Sequence, residues 1–284
     1  MSTLDNIYNT LCTKILNEGE TVKNRTGIDT LSIPQYIFTF DASKEVPILT
    51  TKYVAPKGPI FEMLWIYKEQ SNEVKWLQDR GVKIWNEWCI SNDGYYYAPG
   101  KEPKFFGKEF AGTIGTAYGW ISKHTQNMQK LIKTIKENPD DRRMVVSLWQ
   151  DDYLNTAVLP SCVWSTEWRV LNGKLNLMVH QRSCDVALGL PYNVYQYYVL
   201  LRLICQVTNL MPGNITWTIN DAHIYVNHID GIKEQLSRTP LDAPTLWINP
   251  ELTDFFAVDT SKELKDIKLE NYNHHPSIKF DVAI

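Results

Sequence analysis

A thiol, a guanidinium, a hydroxyl, a carboxylate and an amide fall within about thirty residues of this chain. They are Cys162 at the end of Leu159-Pro160-Ser161-Cys162; Arg182, Ser183 and Asp185 in Gln181-Arg182-Ser183-Cys184-Asp185; and Asn193 at the end of Gly189-Leu190-Pro191-Tyr192-Asn193. A thiol attacks only as thiolate, and a fixed positive charge beside it lowers its pKa. Arg182 is the nearest candidate in sequence for that charge, so the group reads as a nucleophilic centre with its own activating cation.

The surrounding pattern brings the two together. Val163 to Val170 and Lys174 to Arg182 are strand-like runs joined by Leu171-Asn172-Gly173, and Asn-Gly between such runs is a strong hairpin signal. Antiparallel pairing about Asn172-Gly173 sets Cys162 roughly opposite Arg182. After Asp185 the pattern changes to the apolar run Val194 to Leu210, a buried helix with Asn193 near its start.

These motifs, with Asn220-Asp221-Ala222-His223-Ile224-Tyr225 further on, closely resemble the signature of the thymidylate synthase family. The resemblance runs from Arg25 to the terminal Val282-Ala283-Ile284. It implies an α/β (α+β) fold: a mixed, mostly antiparallel sheet flanked by helices, forming one domain over residues 1–284 that dimerises through the sheet. It also implies the reaction, in which dUMP becomes dTMP at the expense of 5,10-methylenetetrahydrofolate, which leaves as dihydrofolate. The Cys162 thiolate would add to C6 of the pyrimidine, splitting one hard substitution into easier steps.

The resemblance gives roles to residues whose spacing alone leaves them open. Taken singly, Arg25 reads as a solvated loop charge, as does the pair Arg142 and Arg143 before a strand. As family positions, Arg25 grips the nucleotide phosphate, and Arg142 and Arg143 reach the phosphate of the neighbouring subunit. Arg182 and Ser183 join this substrate set, and arginine suits it, having planar bidentate donors and permanent charge. His223 and Tyr225 resemble the pair that holds the deoxyribose 3′-hydroxyl.

Asn193 can donate to O4 and accept from N3–H of uracil; rotated by half a turn it suits cytosine instead. The cytosine-specific hydroxymethylases of the family carry Asp there, so Asn favours dUMP. Glu62 lies amid Met63-Leu64-Trp65-Ile66-Tyr67. It reads either as an exposed residue favoured by a helix dipole or as a partly buried acid/base with raised pKa. The family assigns it proton traffic around O4 and C5. Tyr118 matches a hydroxyl-bearing site residue that, with an ordered water as the alternative, could accept the C5 proton.

For the folate, the resemblance points to Trp85 and Trp88 as an apolar wall, Asp185, Lys52 near the glutamate tail, and Ala283 and Ile284 in a C-terminus that folds over the site. Two tryptophans three apart are otherwise core residues, and a solvated Lys52 is the plain alternative. Three departures stand out. Val163 replaces a His common after the nucleophile, Asn220 replaces a Gly, and Ser161 replaces a second Pro.

The remaining chain supplies the frame. A helix covers Ile7, Leu11, Ile15 and Leu16 and stops at Gly19. Strands are expected at Thr30–Phe40 and Pro47–Lys52. Pro59 opens a helix through Tyr67, with Glu62 as its fourth residue. Further helices fall at Val74–Leu77 and Met128–Ile135, and strands at Met144–Trp149, Thr216–Ile219, Thr245–Ile248 and Ile267–Tyr272. Ile278 to Ile284 is an apolar tail. Residues 91–112 read as an ordered loop insertion whose aromatics need burial.

Composition bounds the rest. The chain has 284 residues, 44% hydrophobic, with 10 Trp and 15 Tyr, enough to fill a substantial core. A formal charge of -3 offers no global attraction to nucleic acid or acidic membranes. Five cysteines without CxxC or framework spacing fit a reducing, cytoplasmic compartment. No His/Cys spacing suggests zinc, no run is long enough for a bilayer, and the N-terminus reads as a helix rather than a signal peptide. Two other readings share the frame: a dUMP 5-hydroxymethylase, in which water replaces hydride, and a non-catalytic nucleotide- or RNA-binding homologue. The coexistence of Cys162, Glu62 and Asp185 speaks against the second.

Overall fold

The computed structural model describes residues 2–283, so the expectation for Ile284 lies outside the described residues. Helix α1 (Thr3–Glu18) begins at Ser2, whose hydroxyl accepts the Asp5 N–H, and stops at Gly19; Leu4, Tyr8, Leu11 and Ile15 form its buried face. Strands β1 (Glu20–Val22) and β2 (Thr30–Asp41) pair antiparallel, with Asn24-Arg25-Thr26-Gly27 in the connection. The expected strand at Pro47–Lys52 does not form. Thr50 and Thr51 donate their N–H groups to the buried Asp5 carboxylate, at 3.0 and 3.1 Å, and the Leu49 carbonyl accepts the Tyr272 hydroxyl. With these backbone groups satisfied from outside, a ladder has nothing to add.

Helix α2 (Lys57–Tyr67) starts two residues before Pro59, which still lies in the first turn, where its missing N–H costs nothing. Glu62 is therefore the sixth helical residue, not the fourth, and is buried. After α3 (Val74–Gln78) comes a small hairpin, β3 (Tyr95–Tyr96) with β4 (Lys104–Phe105), inside residues 91–112. Its aromatics were expected to be buried. Phe106 is, but Tyr95, Tyr97 and Phe105 are exposed; Tyr95 packs on Phe105 at 4.9 Å between ring centres, and the Tyr97 hydroxyl donates to Asp93. Contact with one another and a surface carboxylate replace contact with the core.

Helices α4 (Gly119–Thr125) and α5 (Asn127–Glu137) lead to β5 (Val145–Ser147). Strands β6 (Val163–Leu171) and β7 (Lys174–Gln181) form the expected hairpin, with Asn172 and Gly173 both left-handed at φ 51° and 72°, as a type I′ turn requires. The two-residue β8 (Cys184–Asp185), the long helix α6 (Gly189–Thr208), β9 (Met211–Tyr225), α7 (Ile229–Leu236), and the pair β10 (Thr245–Ile248) and β11 (Ile267–Glu270) complete the chain. A Cβ on Gly58, where α2 meets α6, would sit 1.7 Å from the Tyr192 hydroxyl, so a larger residue there would displace the Tyr192 ring.

The main sheet runs β1-β2-β9-β7-β6-β5, antiparallel except that β7 and β8 both lie parallel to β9. One face carries Phe38, Phe40, Leu177, Val179, Ile215 and Trp217 into the core. On the alternate positions Ile37, Val145 and Met178 stay exposed, as does Trp164 at the β6 bulge. Residues 273–283 form no strand; Phe280 is buried against His228, whose Nε2 is 2.8 Å from the Asp281 carbonyl.

Candidate active site

The break between β7 and β8 builds the site. Gln181 pairs with Ile219 and Cys184 with Ala222, so Arg182 and Ser183 leave the ladder beside Asn220 and Asp221. Pairing resumes with Asp185 opposite His223, and β2 places Ser32 on the other side of His223 and Thr30 opposite Tyr225. On β6 the bulge at Trp164 inserts one extra residue just after Cys162, a common device for re-aiming side chains next to active sites. The result is a cavity of about 320 Å³ lined by Cys162, Arg182, Ser183, Asp185, His223 and Tyr225, with Arg25 of the β1–β2 connection among its walls.

Arg182 meets Cys162 as the hairpin register predicts. Its N–H bonds the Cys162 carbonyl at 2.9 Å, and its guanidinium is clamped by the Ser161 and Pro160 carbonyls, leaving Nη2 3.8 Å from the Cys162 sulfur. The expected net lowering of the thiol pKa does not follow. Burial pushes Cys162 up, and the pull of Arg182, Tyr118 and Arg25 offsets only part of that. The sequence signal gave the cation but not the cost of removing the sulfur from water.

Tyr118 accepts the Cys162 N–H on its hydroxyl at 3.0 Å, and burial pushes that hydroxyl well up. Its backbone is left-handed at φ 48°, a strained setting for an aromatic residue and one that collects at functional sites. Glu62 is buried and pushed up to about 7 by desolvation, against hydrogen bonds from Trp85 Nε1 at 2.6 Å and Gln196 Nε2 at 3.0 Å. The exposed alternative for Glu62 is thereby excluded. Its carboxyl can change charge near neutral pH.

Asp221 anchors the other wall. Burial raises its carboxyl, but hydrogen bonds from His223, Ser32 and Ser183 outweigh burial and hold it at about 2. Its bond to His223 Nδ1, at 3.1 Å, leaves Nε2 as the ring nitrogen free for a ligand.

Asp185 lines the same cavity, with Oδ1 taken by the Ala187 and Leu188 N–H groups. Lys52 is not solvated: its ammonium is buried against the Ala187 carbonyl and over the Phe280 ring, and burial lowers it to about 8. Trp85 and Trp88 meet edge-on at 5.6 Å, and Trp85 packs on Tyr118 at 5.2 Å. Ala283 is half-buried at the end of the docked tail.

Two expected residues stay apart from this group. Arg142 and Arg143 are exposed and line other surface hollows, with Arg143 paired to Asp141. Of the departures, Val163 turns into the core, Asn220 is exposed with no left-handed backbone to demand glycine, and Ser161 is buried with no partner for its hydroxyl among the described residues.

Sequence reasoning missed Gln181, Gln196 and Asp221 as working parts. Gln196 had a signal, as the first of three amides inside the apolar run that begins at Val194.

Comparison with known proteins agrees with this geometry. The family model described as thymidylate synthase matches residues 6–284. The chain is similar to the thymidylate synthase of Clostridium beijerinckii, 48% identical over the whole of both chains, and to thymidylate synthase 1 of Bacillus subtilis strain 168, 40% identical over the whole of both. Among solved structures it is similar to the thermostable thymidylate synthase A from Bacillus subtilis, with a TM-score of 0.85, 38% identity and 99% of each chain covered.

Proposed function

The chain belongs to the thymidylate synthase family, and from that premise we propose that it methylates dUMP reductively to dTMP. The observation that carries the reading is the clamped Arg182 guanidinium 3.8 Å from the Cys162 sulfur, in a cavity that also holds Arg25, Ser183, His223 and Tyr225. A nucleotide phosphate fits the arginines and Ser183. The free His223 Nε2 and the Tyr225 hydroxyl suit a deoxyribose hydroxyl.

Addition of the Cys162 sulfur to C6 forms an S–C bond and moves the C5–C6 electron pair toward C5 and O4, so that C5 becomes nucleophilic. Arg182 stabilises the thiolate that starts the step, which matters more because burial opposes it. Near O4 and C5, Glu62 would give or take a proton, and we read Tyr118, directly or through water, as the relay for the proton lost from C5; its hydroxyl beside Cys162 supports that reading. Expulsion of Cys162 restores the thiolate and the double bond.

The one-carbon unit and the hydride are supplied by 5,10-methylenetetrahydrofolate as co-substrate. The residues present fit a flat, amide-bearing ring. Trp85 and Trp88 offer an apolar wall, the Trp88 Nε1 is buried with no partner, and only Oδ1 of Asp185 is hydrogen-bonded among the described residues. Lys52 and Ala283 lie on the side of the docked tail.

We read the active form as a homodimer joined through the open sheet face, with Arg142 and Arg143 reaching the partner's phosphate site. Support comes from the exposed Ile37, Val145, Trp164 and Met178 on that face, and from arginines that have no place in their own cavity. A reducing, cytoplasmic setting agrees with five free cysteines.

The test is formation of a covalent adduct with 5-fluoro-dUMP and 5,10-methylenetetrahydrofolate, followed by product analysis with dUMP. The reading expects an adduct in wild type, none in Cys162→Ser, and dihydrofolate as product. No adduct would sink it, and tetrahydrofolate with hydroxymethyl-dUMP would replace it by the hydroxymethylase.

A further inference from the structure

Asn193 can read a pyrimidine either way round, so something else must choose. Its Oδ1 accepts from Gln181 Nε2 at 3.2 Å, and its Nδ2 faces Gln196 Oε1 at 3.5 Å. Both neighbours are amides, which can themselves rotate, so neither settles the sense alone. At its Gln181 end, however, the chain of amides meets groups that act in one direction only. Trp217 Nε1, a donor with no accepting capacity, bonds Gln181 Oε1 at 2.9 Å. The Ser183 carbonyl, which can only accept, takes Gln181 Nε2 at 3.2 Å. At the far end Trp85 Nε1 donates to Glu62, whose other oxygen accepts from Gln196.

We propose that Trp217, a core residue that does not line the cavity, is a positioning residue that fixes the sense of the Asn193 amide through Gln181 and so sets the preference for uracil over cytosine. This rests on the reading that Asn193 meets the base. The accounting closes. One Oδ1 lone pair is taken by Gln181 and one Nδ2 hydrogen faces Gln196, which leaves one acceptor site for N3–H and one donor for O4 of uracil. A cytosine needs the reverse, and turning Asn193 over would set Nδ2 against the Gln181 amine and Oδ1 against Gln196 Oε1. Like groups would then face each other at both contacts of this part-buried amide, which costs more than losing the two bonds to water.

The Gln181 arm dominates, because its bonds are shorter and the Gln196 contact is at the limit of a hydrogen bond. Trp217 can hold this role because its ring cannot turn. It is fully buried, stacked with Phe38 at an interplanar angle of 2° and meeting Tyr197 edge-on at 5.6 Å.

The experiment measures the dissociation constants of dUMP and dCMP for wild type, Trp217→Phe, Gln181→Met and the double variant. Wild type should prefer dUMP. In folded Trp217→Phe the dUMP/dCMP preference should fall by about tenfold or more, partly through a gain in dCMP binding, and the double variant should match Gln181→Met. A purely structural lesion would weaken both nucleotides alike and leave the ratio unchanged; that result overturns the proposal. Should Trp217→Phe fail to fold, the isostere β-(3-benzothienyl)alanine at position 217 keeps the ring and lacks only the N–H, and the same two results decide. A wild type that binds both nucleotides equally would remove the reading of Asn193 as well, whereas a normal wild type with an unchanged ratio in the Trp217 variants removes only the anchor.

Discussion

The Arg182 guanidinium lies 3.8 Å from the Cys162 sulfur because the carbonyls of Pro160 and Ser161, the two residues before the cysteine, hold it there. Guanidinium and thiol are thus fixed to one another by the segment that carries the thiol. Arg182→Lys keeps the charge and loses the fork that spans two carbonyls. The expected outcome is a fall in kcat/KM of about a hundredfold, with a share lost in thiolate formation and a share in phosphate binding. The first share is read separately, as the pH profile of Cys162 alkylation followed by mass spectrometry. Since Arg182 pulls the thiol down against burial, that profile should move to higher pH in the variant. An unmoved profile would show that the guanidinium does not activate the sulfur.

Glu62 gives a pH dependence with a defined sign. Burial raises its carboxyl from 4.5 to about 7, so the folded protein holds the proton more tightly than the unfolded chain. Its contribution to stability is complete below the unfolded value and is lost as pH rises through about 7. Glu62→Gln removes that dependence. Between pH 4.5 and 8 the stability of wild type should therefore decline relative to the variant by about 3 kcal/mol. The measurement is the difference in denaturation midpoints across pH, not its absolute value. A constant difference would mean that Glu62 titrates where a solvated carboxyl does.

Much of this site was legible before the fold was known. The β6–β7 hairpin is a local event, dictated by Asn172-Gly173 and two alternating runs, and it alone sets Cys162 against Arg182. For Glu62 the apolar neighbours raised burial as one of two readings without deciding it, and only the packed α2 excluded the exposed one. What stayed hidden depends on partners distant in sequence. Pro47–Lys52 has the composition of a strand, yet the Asp5 carboxylate takes its amides from 45 residues away. Trp217 and Gln181 look like ordinary strand residues until β9 lies beside β7 and turns an indole N–H toward an amide.

The tail offers a test that leaves the cavity residues intact. A Cβ on Gly231 would sit 2.6 Å from the Phe280 ring and 3.1 Å from Ile278 Cγ2, so Gly231→Ala should lift residues 278–283 from their seat beside His228. Amide exchange in that segment should quicken by about tenfold, and the KM for the folate should rise several-fold, with dUMP affinity unchanged. Faster exchange with an unchanged folate KM would separate the tail from the co-substrate site.

Arg142 and Arg143 provide the test of a shared site. Each is exposed on its own chain and absent from the cavity around Cys162, so in a dimer a working site would need Cys162 from one protomer and the arginine pair from the other. Cys162→Ser and the double variant Arg142→Ala/Arg143→Ala should each be nearly inactive alone. Unfolded together in equal amounts and refolded, they form mixed dimers in which one site has both intact components and the other has neither. Random pairing makes half of the dimers mixed, so activity should return to about a quarter of wild type, with dimer mass confirmed by light scattering. If the arginines served their own protomer, no mixed dimer would hold a complete site and activity would stay at the level of the parents.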